Sequence, residues 1–99
     1  MGRARPDLIR VWWDNPPGPS QGVTLERRFR GRSYERRVHP QDYVTQIEAA
    51  AILRTTLMTV NRYVRAKRLP AVTRDGISMI QLRTLLRFRR DRQAAREGR

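Results

Sequence analysis

Hydrophobic positions along the chain change period near residue 45. Residues 8–13, Leu8 through Trp13, form an aromatic and β-branched run that predicts a strand. It stops at Asn15-Pro16-Pro17-Gly18-Pro19, where the prolines remove ladder donors and fix the backbone, predicting a rigid loop. Val23, Leu25 and Phe29 then alternate with Thr24, Glu26, Arg28 and Arg30. After residues 31–33, Tyr34 and Val38 alternate with Glu35 and Arg37, which predicts a β-hairpin. Arg27 and Arg36 fall on the apolar face of that hairpin and break its pattern. From Thr45 onwards the period is helical. Thr45-Gln46-Ile47-Glu48 has the form of a capping box and introduces a short helix through Arg54, in which Ala49 and Ala50 permit close helix crossing. Arg54-Thr55-Thr56 breaks it, with a threonine as the next cap. Leu57, Val60 and Val64 recur at helical spacing up to Lys67, and Pro70 forbids continuation. Residues 71–74 and 77–79 flank Asp75-Gly76, the pair suited to a type I′ hairpin turn. Ser78-Met79-Ile80-Gln81 reads as a second capping box, opening a helix with Met79, Leu82, Leu85 and Leu86 on one stripe and Ile80 and Phe88 off it.

These elements predict an α+β chain. Residues 1–7 are expected to form a frayed basic N-terminus and residues 8–39 a β-structured extension, either a hairpin or a small meander. Residues 40–90 carry the helices and second hairpin, and residues 91–99 a basic tail.

Composition then narrows the function. In 99 residues there are 22 Lys+Arg against 9 Asp+Glu, a formal net charge of +13, so the expected partner is polyanionic and there is little room for a separate catalytic domain. Lys67 is the only lysine. Arginine's planar fork suits phosphates and guanine edges, although the codon bias of a GC-rich genome accounts for the same preference. With no cysteine, disulfides and thiolate chemistry are excluded and the redox compartment stays open. The single histidine, His39, has no metal-ligand or nucleophile companion at useful spacing. The acidic residues are scattered among arginines and no Walker-type loop is present, so the expectation is a non-enzyme without cofactor or metal. The longest apolar run, residues 49–53, is too short to span a membrane and no signal-type core follows Met1. A cytoplasmic, nucleoid-associated protein without a membrane partner is therefore expected.

The ordered set Thr45-x-x-Glu48-Ala49-Ala50-x-x-Leu53, Thr59-Val60-x-Arg62-Tyr63-Val64, Leu69-Pro70-Ala71, a glycine-containing hairpin and Leu82-x-x-Leu85-Leu86 resembles the excisionase and MerR-like winged helix-turn-helix DNA-binding domains. It covers a little under half the chain, residues 44–88. The resemblance implies a recognition helix over residues 56–67 and a β-wing over residues 71–79. Members of that family often carry glycine in the helix-helix turn and after the recognition helix, where this chain has Arg54 and Lys67. Either the turns differ, or phosphate contacts offset the cost of a left-handed non-glycine residue.

On a helical wheel Leu57, Val60 and Val64 face the core while Met58, Thr59, Arg62 and Arg65 point outward. In helix-turn-helix docking the early residues of the second helix reach base edges, so Thr56, Met58, Thr59 and Arg62 are the candidate base contacts, with Asn61 on the flank. Arg54, Arg65, Lys67, Arg68 and Arg74 are candidate phosphate contacts; taken singly, each also reads as a solvated surface charge. Tyr63 reads as a packing residue. Trp12 and Trp13, adjacent in a strand, point to opposite faces; with Phe88 they form candidate partner contacts, either within the chain or for self-association or another protein. The function expected is that of a double-stranded DNA-binding protein, a small transcription regulator or an excisionase-like architectural factor in recombination. The alternative is a protein-interaction adaptor or RNA-binding component of a nucleoprotein assembly, using the tryptophan strand and arginine-rich hairpin.

Overall fold

A computed structural model of the chain describes residues 9–14 and 21–97. The expected frayed N-terminus, Leu8, the 15–19 proline loop and the last two residues of the basic tail lie outside the described residues. In order the elements are β1 Ile9–Trp13, β2 Val23–Phe29, β3 Arg32–Val38, β4 Tyr43–Thr45, α1 Gln46–Leu53, α2 Leu57–Arg65, β5 Val72–Arg74, β6 Ile77–Gln81 and α3 Leu82–Glu97. The fold is α+β: three helices and two small antiparallel sheets, ordered β1-β2-β3 and β4-β6-β5.

The first sheet is a meander. Val11 pairs with Leu25 and Leu25 with Arg36, so alternate residues turn Val23, Leu25 and Val38 inward to full burial, with Ile9, Val11 and Trp13 packed against them. Its tip is a two-residue turn in which Arg30 and Gly31 both have positive φ, 53° and 78°. At its base Gly22 is sterically required, because a Cβ there would sit 2.6 Å from the Val38 carbonyl oxygen.

The meander packs onto the helices. Val23, Leu25 and Val38 share one core with Val44, Ala49, Ile52, Val60, Leu69, Ile80, Leu82 and Leu85, and β1 lies against α1. The boundary near residue 39 marks a change of element type and not of packing unit. Arg36, which interrupts the apolar pattern, reaches from β3 to Glu48 on α1 with Nη2 2.6 Å from Oε1. The same oxygen accepts the Thr45 amide at 2.9 Å, and the Glu48 amide donates to Thr45 Oγ1 at 3.3 Å. One carboxylate therefore completes the capping box of α1 and ties the meander to it.

The C-terminal half differs from the sequence expectation in three places. Ser78 does not cap a helix. Residues 77–81 form β6, the central strand of the second sheet, paired to β5 through Arg74–Ile77 and to β4 through Val44–Ile80. Strand β4 was not expected from the pattern, since three residues are too few to show alternation. Ile80, instead of lying off a helical stripe, is fully buried in the core. Helix α3 starts at Leu82, whose amide, with that of Arg83, donates to the Asp42 and Pro40 carbonyls at 2.8 and 2.7 Å. Main-chain acceptors thus do the work of a side-chain cap. Helix α3 also runs to Glu97 and takes in most of the residues expected as a basic tail. Among the described residues no helix is long and apolar enough to cross a membrane.

Candidate nucleic-acid interface

Helix α2 begins at Thr56, whose hydroxyl oxygen accepts the Thr59 amide at 3.1 Å and lies 3.0 Å from the Thr59 hydroxyl. Of the residues expected to face inward, Val60 is fully buried and Val64 half-buried. Leu57 departs from expectation: as the first residue of α2 it overhangs the core and is 48% exposed. Met58 is 72% exposed, Arg62 and Arg65 are exposed and Thr59 is half-buried. The wheel reading of the outer face therefore holds for Met58, Arg62 and Arg65. The hydroxyls of Thr56 and Thr59 are already occupied with each other and with the helix cap.

Both flanks of α2 are held. On one, Asn61 Nδ2 donates to Gln46 Oε1 at 3.2 Å, and Gln46 Nε2 donates to Ser78 Oγ at 2.9 Å. This chain of amides and hydroxyl joins α2, the start of α1 and β6, so the β5–β6 hairpin is adjacent to the Asn61 side of α2. On the other flank the Tyr63 ring packs against Phe88 of α3 with centroids 4.9 Å apart, and the guanidinium carbons of Arg68 and Arg92 stand 5.3 and 5.8 Å from its centre. Helix α2 thus rests on Val60 between two braces, with Met58, Arg62 and Arg65 exposed on its outer side, Arg65 nearest the Asn61 brace.

Cations mark the ends of this surface. Helix α1 ends at Arg54, with φ 58° and ψ 49°; the Thr55 amide bonds back to the Ala50 carbonyl at 2.9 Å and the Arg54 amide to Ala51 at 3.2 Å. Past α2, Lys67 has φ 60°; the Arg68 amide bonds to the Tyr63 carbonyl at 2.9 Å and the Lys67 amide to Val64 at 3.0 Å. Both are Schellman closures with a cation at the position glycine usually takes. Of the two alternatives left by the sequence, a different turn is excluded: both residues are left-handed. Arg74 at the end of β5 lies with its guanidinium carbon 4.4 Å over the Tyr43 ring, on the outer face of the second sheet. An arginine stacked on a ring keeps its N–H edges available for phosphate.

The candidate partner contacts separate. Trp13 is half-buried beneath the Arg89 guanidinium, 4.6 Å from its ring centre, and Phe88 is taken up by Tyr63; both serve packing within the chain. Trp12 is 53% exposed on the outer face of the meander. There Ser33 Oγ donates to Glu26 Oε2 at 2.7 Å and Trp12 Nε1 to Glu26 Oε1 at 3.3 Å, and these hydrogen bonds hold the Glu26 carboxyl below the usual carboxylate range. His39 is exposed, and its amide donates to Asp42 Oδ2 at 3.0 Å. Among the described residues no cluster of His, Cys, Asp or Glu has the makings of a metal site.

Sequence reasoning missed Gln46 and Ser78 as the link between α2 and the hairpin. Their spacing of 32 residues carries no local signal, and Ser78 was absorbed into an apparent capping box. Comparison with protein-family models, curated proteins and solved structures finds no match to this chain.

Proposed function

We propose that the chain binds double-stranded DNA as a winged helix-turn-helix protein, with α1 and α2 as the helix pair, α2 entering the major groove and the β5–β6 hairpin acting as the wing. The observation that carries this reading is the Asn61–Gln46–Ser78 chain. It braces α2 against the hairpin strand and leaves Met58, Arg62 and Arg65 outward, with Arg54 just past the C-terminus of α1 and Lys67 just past that of α2. Arg62 is the candidate reader of a guanine edge and Met58 of a thymine methyl. Arg54, Arg65, Lys67, Arg68 and Arg74 contact phosphates and set register. Thr56 and Thr59 act first as the cap of α2, and Thr59 touches the backbone or a base edge through its remaining lone pair. Such a protein acts without catalysis, as a small transcription regulator or an excisionase-like architectural factor in recombination.

The test is selection of bound sites from a random duplex pool, followed by competition with structured RNA. A recovered motif whose contacts map to α2 supports the reading. Recovery of no motif, with RNA displacing duplex DNA, would transfer the function to the arginine-rich β2–β3 hairpin and the exposed Trp12.

A further inference from the structure

A second cationic surface begins on the flank of α2 that faces away from β6. From the Tyr63 ring, Arg92 leads into a cleft of about 350 Å³ that it lines with Leu53, Arg54 and Arg89. Arg89 in turn covers Trp13. Trp13 and Arg89 then open into a larger cleft of about 400 Å³, walled by Arg83, Arg87 and Arg90 of α3 and by Gln21. Among the described residues no carboxylate lines either cleft.

Arg83, Arg87 and Arg90 follow one another at spacings of four and three, so they share one face of α3. Like charges at these spacings destabilise a helix; Asp91, four residues after Arg87, is the one acidic neighbour at such a spacing among the described residues and does not line the cleft, so the cleft side of the stripe suits an anion from outside the chain. At about 1.5 Å per residue the stripe is roughly 10 Å long. That matches the axial rise of about three nucleotides of one DNA strand, at about 3.4 Å each.

We propose that the cleft between α3 and β1 binds the phosphodiester backbone of a second DNA segment, so that one molecule holds one segment on the outer face of α2 and another against α3. The inference rests on the DNA-binding reading only for the identity of the polyanion. A separate segment is inferred from direction. On a wheel of about 100° per residue, Tyr63, where the path to the cleft begins, lies roughly 140° around α2 from Met58. Arg83 and Arg90 line the cleft reached past that flank by way of Arg92 and Arg89, so the proposal gives them a segment other than the one seated on Met58 and Arg62. The cleft is concave, which suits a sugar-phosphate ridge. Arg89 lines the cleft with its guanidinium over Trp13, a stacking that leaves N–H edges free to donate to phosphate.

The chain has two tryptophans, so Trp12→Phe leaves Trp13 as the sole emitter, at the wall of the cleft. In that background, Arg83→Gln, Arg87→Gln and Arg90→Gln are combined. All three residues are exposed and Arg89 is retained, so the core is untouched. Two measurements are made with a short duplex: Trp13 emission on titration, and retention of a free labelled duplex by a second duplex tethered to beads. The parent is expected to change its Trp13 emission and to retain the free duplex. In the triple variant the emission change disappears and retention falls by about tenfold or more, as for the loss of three phosphate contacts, while one duplex is still bound. Unchanged retention in the triple variant, which is also what bridging through self-association would give, overturns the proposal. So does a silent Trp13 when anisotropy shows the duplex bound. Arg62→Ala keeps the two readings apart: if it leaves site selection unaffected while the Trp13 response persists, the α2 reading fails and the cleft stands.

Discussion

Arg54 and Lys67 each accept a backbone conformation that costs a side-chain-bearing residue on the order of 1 kcal/mol, at positions where glycine would bear none of it. Neither side chain is buried, so packing does not account for the choice. In the DNA-binding proposal, each cation serves phosphate binding at the end of its helix. Arg54→Gly and Lys67→Gly are each expected to raise unfolding stability in urea by up to about 0.5 kcal/mol, the strain removed less the added chain entropy. Both should weaken duplex binding. A variant that gained stability and kept full affinity would remove that residue from the interface. Arg62→Ala carries no such trade. It should leave stability within about 0.5 kcal/mol, as for an exposed helix position, and cost about 1–3 kcal/mol on a selected site, with preference relaxed at one base pair. An equal loss on all sequences would make Arg62 a phosphate contact. The outward face of α2 was legible because helical period alone places Met58, Arg62 and Arg65. Leu57 was not, because a wheel knows direction but not where along the helix the core ends.

At the scale of elements, local chemistry was readable and long-range pairing was not. Asp75-Gly76 announces its turn, and the structure gives the pair φ values of 49° and 77°, the double positive of type I′. The capping box at Thr45 and Glu48 was equally plain, since every partner lies within four residues. Ser78-x-x-Gln81 has the same form and is false. Whether that stretch is helix or strand is decided by β4 and β5 on its two edges and by the core that receives Ile80, none of which a window of four residues contains. Arg36 misled in the opposite way, as an apparent fault in a strand that is the meander's tie to Glu48. Replacing Asp75-Gly76 by Ala-Ala costs about 1–2 kcal/mol at Gly76, where a Cβ enters left-handed geometry, and a smaller amount at Asp75, where alanine tolerates that geometry less well than aspartate. Strand β5 is expected to loosen while β6 remains paired to β4 over Ile80 and Val44. Duplex affinity should then fall with far-UV helical signal preserved, and unchanged affinity would take the hairpin out of the interface.

The whole molecule couples a single core to a surplus of positive charge. Val23, Leu25 and Val38 are each completely buried and come from the meander, and burial of such side chains is worth about 1.5–3 kcal/mol each. Their sum is comparable to the full stability of a domain this size, so a chain lacking residues 1–38 should show no cooperative unfolding transition. Cooperative unfolding of that fragment would restore the two-part division drawn from sequence. The charge argument ends in a measurable slope. On a short duplex that one molecule binds with α2 alone, the five candidate phosphate contacts Arg54, Arg65, Lys67, Arg68 and Arg74 release about 0.9 counterion each, giving a log K against log salt slope of roughly −4.5. The proposed base-edge contacts of Met58 and Arg62 would not share that dependence, so sequence preference should persist at moderate salt while nonspecific binding collapses. Bringing a second segment into the α3 cleft adds Arg83, Arg87 and Arg90, and the slope for the bridged complex should steepen by about 2.7 more. A slope near zero on the short duplex would mean that the +13 charge is not engaged by DNA at all, and the partner would have to be sought among other polyanions.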